Sequence, residues 1–258
     1  PVSGKTDVAV AELNGKLVKA MESKEMVVQV KTDKATYTLP AAQINIDSVS
    51  SHIGKDVALQ DIKINVKIAD ADAIKSSQMS VAADSTGANL ITAPVEFQVE
   101  ATYNQQKVQV DQFNNYVQRE IALPEGVEPS QITTGVVLND DGTVSHVPTK
   151  VIQRGGHVYA SINSLTNSAY SVVYLRKTFT DTETHWSQGD VNDLASRLVL
   201  GGVDAEHYEP DRMVTRGEFT LLLTRTLGLH APKAGQSVIT FTDAPEAGDE
   251  VAAAEKIA

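Results

Sequence analysis

Residues 214–229, VTRGEFTLLLTRTLGL, contain the most strongly specified element of the chain, a helix with a defined start and end. Thr215 is a good N-cap, because its hydroxyl accepts a hydrogen bond from a free backbone N–H of the first turn. Glu218 reaches back to the N–H of Thr215 and completes a capping box. Gly228 predicts the end, since glycine adopts the left-handed conformation at no steric cost. Apolar residues at helical spacing define one face: Phe219, Leu222, Leu223 and Leu227.

Arg216 is the residue in this stretch that does not serve the helix. It occupies the first helical position, where the positive end of the macrodipole disfavours a cation by about 0.3–1 kcal/mol. One interpretation is a surface salt bridge with Asp190 or Glu218. The other is that Arg216 binds an anion, which the free N–H groups at a helix start also favour.

Length and composition exclude several classes of function. The 258 residues favour two or three domains, and 41% hydrophobic residues are enough for packed cores. The net charge of −11 argues against nucleic-acid binding and against adhesion to anionic membranes. No apolar run approaches the roughly 20 residues of a membrane span, so we predict no membrane insertion.

Sites for metals, cofactors and catalysis are not evident either. The chain has no cysteine, and its six histidines, His185 and His207 among them, form no H-x-x-x-H pair. The patterns of a nucleophile elbow, a P-loop and a dinucleotide-binding loop are missing. We therefore predict a non-enzymatic region without metal or cofactor. The N-terminus lacks a signal-peptide pattern, and the repeats described below break off, so we expect a fragment of a longer protein.

Residues 1–94 have the pattern of a β-rich domain with some helix. In the clearest predicted strand, isoleucine and valine alternate with polar residues, which indicates one buried and one wet face. We predict strands at 26–30, 35–39 and 61–69, a short helix or irregular turn at 44–53, and a polar loop at 76–88.

Residues 95–176 have the pattern of an all-β domain that resembles a sandwich. Short strands are predicted around 95–103, 107–110, 136–138, 144–147, 151–152, 157–162 and 170–174. The polar segments 139–142 and 154–156 predict two hairpin turns. The first of these segments, Asn-Asp-Asp-Gly, could also suggest a calcium-binding loop. The carboxylate spacing and the closing glutamate of such a loop are missing, so a plain hairpin turn is favoured. The two β-rich stretches are either separate domains or one continuous architecture.

The sequence changes character after residue 176 and becomes helical. Phe179-Thr180-Asp181 precedes a helix whose apolar face contains Val191, Leu194, Ala195, Leu198 and Val199, and Gly201-Gly202 is the predicted end of that helix. A loop then leads to the capped helix. The FTD triplet returns at Phe241, 62 residues after Phe179, which indicates a repeated helical unit.

This region resembles the S-layer homology (SLH) family. The motifs are FTDTETHW, DVNDLASRLVLGG, YEPDRMVTRGEF and LLLTRTLGL, in that order. The resemblance covers about residues 179–230, and a truncated second repeat spans 241–258. Gly217 stands where the family motif usually has alanine. The upstream segment 138–174 also looks like sequence that precedes SLH repeats in large surface proteins.

The resemblance implies a location, a ligand and a site. Three such units normally pack as a bundle and bind secondary cell-wall polysaccharide, often pyruvylated, at the surface of Gram-positive bacteria. The matching arginine, Arg216 here, then contacts the acidic sugar. Trp186 becomes a candidate for one side of the sugar-binding groove. The Gly201-Gly202 turn becomes a candidate position where the backbone approaches the ligand.

Each neighbouring residue also has a structural interpretation. Glu218 fits the role of a cap better than that of a ligand. For Trp186 a place in the core is favoured, since a large aromatic side chain beside two amphipathic helices is usually buried. Asp181 is predicted to cap a helix or a turn.

The predicted architecture is therefore mainly β, with a C-terminal α-helical part, and three functions remain open. The first is a non-catalytic region that anchors a surface protein to wall polysaccharide, with the β-rich part as spacer. The second is an accessory region of an SLH-anchored polysaccharide hydrolase, with carbohydrate binding in the β domains. The third is a subunit of a self-assembling surface array. Because one SLH unit lacks neighbours for its apolar faces, we also expect either homo-oligomerisation through it or mobility.

Overall fold

The computed structural model describes residues 8–54 and 57–229. The predicted second repeat, 241–258, with its FTD triplet, lies outside the described residues. Thirteen strands are present in the described part: β1 Val8–Asn14, β2 Val27–Lys31, β3 Ala35–Pro40, β4 Lys63–Asp70, β5 Asn89–Leu90, β6 Val95–Tyr103, β7 Gln106–Gln109, β8 Gln112–Ala122, β9 Thr134–Leu138, β10 Val144–Val147, β11 Thr149–Arg154, β12 His157–Thr166 and β13 Ala169–Tyr174. The helices there are α1 Gly15–Glu22, α2 Ile46–Ile53, α3 Ala73–Ser85, α4 Gln188–Ser196 and α5 Arg216–Thr226.

The strands form two antiparallel sheets, as expected for a mainly β protein with helices in its C-terminal part. The larger sheet has the order β1-β4-β6-β13-β9-β10, with β5 on β13 and β7 on β6. The smaller sheet has the order β11-β12-β8-β3-β2. Both sheets contain strands from each side of residue 94, so pairing joins the two stretches into one sandwich.

Alternation along the strands fills the space between the sheets. In β4, Ile64, Val66 and Ile68 are buried, whereas Asn65 and Lys67 between them are partly exposed, which confirms the predicted strand. Buried residues of α1 and α2 belong to the same core. The predicted hairpin at Gly155-Gly156 is also confirmed, because both glycines have positive φ values, 59° and 80°, as a tight two-residue turn requires. At residues 139–142 the chain likewise makes a plain hairpin turn.

Residues 76–88 do not form the predicted loop, because most of them belong to helix α3. Asp72 caps the helix by accepting a hydrogen bond from the N–H of Lys75 at 2.8 Å. The buried face consists of Met79, Ala82 and Ala83, of which Met79 and Ala83 pack against residues of β9 and β13 in the larger sheet. The prediction was wrong because small alanines, placed among serines, carry little apolar signal although they allow close packing.

Strand β8, to which the sequence analysis assigned no element, is the central strand of the smaller sheet. It pairs with β12 on one side and β3 on the other. Its inward positions include Phe113, Val117 and Ile121, and between them the fully buried Arg119. A charged residue at a core position interrupts the apolar alternation that identifies a strand.

Helix α4 ends earlier than predicted. Its last turn closes at Leu198, which adopts a left-handed φ of 62°. The N–H of Leu198 bonds to Ala195 O and that of Val199 to Leu194 O, each at 3.0 Å, which is a Schellman motif. The Gly201-Gly202 pair therefore does not end the helix, and neither glycine has a positive φ. Here leucine takes the position that glycine usually occupies, so the sequence signal was misleading.

Helix α5 is attached to the sandwich at its C-terminal end. Gly228 has a φ of 60° and ends the helix as predicted. The Tyr116 hydroxyl of β8 donates a hydrogen bond to Leu227 O at 2.6 Å. A Cβ on Gly228 would approach Pro148 to 2.8 Å, so the helix end lies directly on the β10–β11 connection. In the described ranges no helix is both long and apolar enough to cross a membrane.

Candidate functional site

The start of α5 is built by the predicted capping box. The Thr215 hydroxyl accepts from the N–H of Glu218 at 3.2 Å, and the Glu218 carboxylate accepts from the N–H of Thr215 at 2.8 Å. Arg216 follows at the first helical position with an exposed side chain. Within the described residues, its guanidinium has no hydrogen-bond or salt-bridge partner. The salt bridge with Asp190 or Glu218 that the sequence allowed is therefore not formed.

Glu218 is paired with a different arginine. Arg212 lies in the loop before the helix and donates to both oxygens of the Glu218 carboxylate, at 2.6 and 3.3 Å. This pairing, together with the hydrogen bonds from Thr215, lowers the pKa of Glu218 to about 2. The capping carboxylate is thus held by Arg212 and does not neutralise Arg216. Sequence reasoning missed Arg212, because its partner is six positions away across a loop–helix boundary.

The FTD triplet holds the loop that leads into α5. Phe179 is buried and its ring centroid lies 5.7 Å from that of Tyr208. The Asp181 carboxylate accepts hydrogen bonds from the backbone N–H groups of Tyr208 and Glu209, at 3.0 and 2.7 Å. Partial burial raises the pKa of Asp181, but these hydrogen bonds outweigh it and bring the pKa below its usual value. Asp181 therefore caps a loop that is distant in sequence.

Trp186 is not in the core, contrary to the favoured prediction, because 86% of its surface is exposed. The neighbouring His185 packs its ring 5.4 Å from the indole and places its Nε2 3.4 Å from the Asp211 carboxylate. Asp211 belongs to the loop that enters α5. The turn that carries Trp186 is thereby tied to the segment just before Arg216. An exposed indole of this kind offers a flat apolar surface to a ligand.

The two glycines of the predicted turn have different surroundings. A Cβ on Gly202 would lie 2.3 Å from His207 O and 2.5 Å from the Phe179 ring, so this position has no room for a side chain. A Cβ on Gly201 would have no atom within 4 Å. Gly202 is thus required by the packing of the loop, whereas Gly201 borders open space.

These surroundings predict opposite effects of the same substitution. Gly202→Ala is expected to destabilise the C-terminal helical part by about 1–3 kcal/mol, because the clash with backbone carbonyls forces the loop to shift. Gly201→Ala is the matched control and should leave the unfolding transition unchanged. Limited proteolysis and thermal unfolding of both variants measure the difference. Equal stability of the two variants would contradict the packing role of Gly202.

Comparison with known protein families identifies this helical part. The S-layer homology domain family matches residues 178–220, which include the FTD triplet, the Trp186 turn and the start of α5. The chain carries an SLH domain. No solved structure matches the chain.

Curated relatives are large enzymes from bacteria. The amylopullulanase of Thermoanaerobacterium thermosulfurigenes is 36% identical over 80 residues, which is 29% of this chain and 4% of that protein. The exoglucanase XynX of Acetivibrio thermocellus is 34% identical over 65 residues, 25% of this chain and 6% of the relative. The endo-1,4-beta-xylanase A of Thermoanaerobacterium saccharolyticum is 38% identical over 52 residues, which is 20% of this chain and 4% of that protein. The chain thus spans only a small part of these relatives.

The SLH domain implies that the protein is anchored at the cell surface, and SLH domains bind cell-wall polysaccharide. The domain and its relatives indicate a cell-wall-attached protein of a Gram-positive bacterium. In the part of the chain that the structure describes, no group of histidine and carboxylate side chains is arranged to hold a metal ion.

Proposed function

We propose that this region is a non-catalytic anchor in which Arg216 binds an acidic sugar of the secondary cell-wall polysaccharide. The observation that carries the proposal is an exposed guanidinium at a helix start, without a partner among the described residues. The carboxylate that lies closest in sequence, Glu218, is already held by Arg212. The helix start itself favours an anion through its free N–H groups.

The chemistry of the site fits a pyruvyl ketal, which presents a carboxylate on a sugar ring. A guanidinium donates two parallel hydrogen bonds to a carboxylate, which the ammonium of lysine cannot do. The exposed Trp186 offers a stacking surface for the ring, and Gly201 leaves space for close approach. Thr215 and Glu218 act in this proposal as the cap that fixes the direction of α5.

Arg216→Gln is expected to weaken binding to purified pyruvylated wall polysaccharide by about tenfold or more, because a charge-assisted bidentate contact is lost. Unfolding should occur at the same temperature or slightly higher, since the helix start disfavours the cation. Arg225→Gln, at the other end of the same helix, is the matched control. Isothermal titration or a pull-down on immobilised polysaccharide compares the three proteins. Equal binding by wild type and Arg216→Gln would remove Arg216 from the site.

The apolar face of α5 supports a second part of the proposal, association of the protein through its SLH domain. Phe219 is 54% exposed, and Leu223 and Leu227 are also exposed. Burying such a face against a second copy or a following repeat is favourable by about 25 cal/mol per Å² of apolar surface. Light scattering should give a mass above that of the monomer, and Phe219→Asp should restore the monomer. A monomeric wild type with a protease-resistant SLH domain would contradict this part.

The alternative function is an accessory region of a polysaccharide hydrolase, with carbohydrate binding in the sandwich. The names of the relatives, all enzymes acting on glucans or xylans, favour it. A polar cleft of about 310 Å³ on the sandwich is its structural counterpart, with Glu96, Asp111 and Asp140 among its lining residues. Glu96 is already paired with Lys75. This alternative predicts that the wild type binds xylan or amylopectin and that Glu96→Gln weakens this binding. Such a result would favour a carbohydrate-binding role of the sandwich over a spacer role.

A further inference from the structure

Strand β1 ends the larger sheet, and in the described part of the chain no strand lies on its outer side. Its seven residues, VAVAELN, alternate between exposed and partly buried positions. Ala9, Ala11 and Leu13 pack against the core of the sandwich. Val8 and Val10 point the other way and are 49% and 53% exposed. The terminal strand of this sheet therefore presents apolar, β-branched side chains to solvent.

The other three strands at the ends of the two sheets are protected by devices that are common in natural proteins. The C-terminal end of α5 lies against β10. Strand β11 carries the exposed Lys150 and Arg154, and the short β2 carries the exposed Lys31. Strand β1 contains no lysine, arginine or proline. Its one charged side chain, Glu12, is neutralised by Lys63, whose Nζ lies 3.1 Å from the carboxylate.

The backbone of β1 directs alternate residues to its two sides. The N–H of Gly15 donates to Ile62 O at 2.9 Å, which continues the register of β1 and β4 by one position. Because the hydrogen-bonding direction alternates along an antiparallel strand, odd-numbered residues of β1 bond to β4 and even-numbered residues face outward. The N–H and C=O groups of Val10 and Glu12 therefore point to the side on which no described strand lies.

The sequence of β1 suits antiparallel pairing with the same strand of a second copy. Pairing about Val10 places this residue opposite its own counterpart, and Glu12 opposite Val8. The two glutamates then lie at opposite ends of the paired segment, so no like charges face each other. The exposed valines of both copies form one continuous apolar strip, in which β-branched side chains contact each other across the strands.

We propose that β1 is a self-association surface, through which two copies of this protein pair edge to edge and join their larger sheets. The partner is a second copy because the strand is complementary to itself and its local charge is neutralised, although each chain has a net charge of −11. One strand pair is small compared with the roughly 1,600 Å² of a standard interface, so pairing is weak in dilute solution. Anchoring of copies side by side on the cell wall raises their local concentration and favours it. The inference uses neither Arg216 nor the apolar face of α5.

Amide exchange measured by NMR tests the pairing, because the alternation predicts which amides respond. In dilute protein, the N–H groups of Val10 and Glu12 should exchange fast, and those of Ala9 and Ala11 slowly, since only the latter two bond to β4. At high protein concentration, exchange at Val10 and Glu12 should slow by about fivefold or more, as unpaired copies are depleted. Slow exchange at these two residues already in dilute protein would show that the edge is covered within the chain, and would overturn the inference. An unchanged rate at high concentration would also overturn it.

Two variants show whether the slowing belongs to β1. Val10→Glu faces Lys67 of β4 within its own chain, but in a pair it repels its counterpart. This variant should fold normally and lose the concentration-dependent slowing at Glu12. Val81→Glu, at an exposed valine of α3, is the matched control and should keep the slowing. Slowing at Glu12 that persists in Val10→Glu would contradict pairing through β1.

Cross-linking measures the same contact independently. The chain has no cysteine, so a single introduced cysteine is unique. In the Phe219→Asp background, which removes association through α5, a short bifunctional maleimide should join Val10→Cys into dimers at high concentration and should not join Val81→Cys. Equal cross-linking of the two cysteines, or none, would overturn the inference. Arg216→Gln should leave the cross-linking unchanged, so the failure of the polysaccharide site and the failure of this inference are distinguishable.

Discussion

Arg119→Ala is expected to lower the free energy of unfolding by about 3–5 kcal/mol, through a large cavity and the loss of several hydrogen bonds. The side chain is 0% exposed in the centre of the sandwich. Its guanidinium carbon lies 5.0, 5.5 and 4.7 Å from the ring centroids of Tyr37, Phe97 and Tyr170. Desolvated cation–π contacts of this kind are worth about 2 kcal/mol.

Hydrogen bonds complete the environment of Arg119. Its terminal nitrogens donate to Val117 O at 2.9 Å, Thr166 O at 2.5 Å and Asn167 Oδ1 at 2.9 Å. Among the described residues no carboxylate forms a salt bridge with it, and its Nε has no partner. The charge is stabilised by ring faces and carbonyl dipoles, so an uncharged replacement leaves several acceptors without donors.

Arg154→Ala is the matched control for this prediction. Arg154 also lies over an aromatic ring, 4.7 Å from the centroid of Tyr159, and its guanidinium donates to the Glu120 carboxylate. It is exposed, so solvent screens both contacts and the denaturant midpoint should hardly move. Chemical denaturation of both variants gives the comparison. Similar midpoints for Arg119→Ala and Arg154→Ala would show that the buried cage contributes little to stability.

Acidification from pH 6.5 to pH 4 is expected to cost the folded protein about 3 kcal/mol through His146 alone. His146 is 7% exposed and shares a hydrogen bond with the Thr134 hydroxyl at 2.7 Å. Burial, with a smaller contribution from the positive charge of Arg197, lowers the pKa of His146 to about 4. The folded state therefore binds fewer protons than the unfolded state. The stabilisation is complete above pH 6.5 and is lost as the pH falls through 4.

His146→Gln removes this titration and should flatten the fall in stability between pH 6.5 and 4. The exposed His157→Gln is the control and should retain the wild-type slope. His207 has the opposite sign, since the hydrogen bond with Asp204 raises its pKa, so the difference between variants isolates His146. Urea denaturation at several pH values measures the slopes. A wild-type slope in His146→Gln would mean that the acid sensitivity originates elsewhere. Gly228, at the end of α5, packs against the backbone of His146, since a Cβ there would lie 3.3 Å from His146 O. Protonation of His146 should therefore first loosen the contact between the sandwich and the SLH domain.

Local signals made part of this structure predictable. The capping box of Thr215 and Glu218 lies within four consecutive residues, so the local sequence contains both partners. The paired glycines 155 and 156 likewise determine their own turn. The exposed Arg216 could be singled out because its conflict with the helix dipole is also local.

Other features depended on partners far away in the chain. Trp186 is exposed, and the neighbouring His185 contacts Asp211, 26 positions away, which no periodicity in the sequence indicates. The stretch 112–122 became a strand because its neighbours β3 and β12 pair with it, although Arg119 breaks its apolar pattern. The role of Arg212 emerges only when the loop and helix α5 are assembled, because it depends on the pairing with Glu218.

The sequence by itself determined the class of the C-terminal domain, the limits of α5 and the hairpin turns. It also singled out Arg216 as a candidate anion-binding residue. Each of these inferences depends on residues within a few positions of one another. The tertiary structure alone decided which charges are paired, which aromatic side chains are exposed and where clefts open. Those properties are set by distances between segments separated by tens of residues, and chain connectivity does not encode such distances locally.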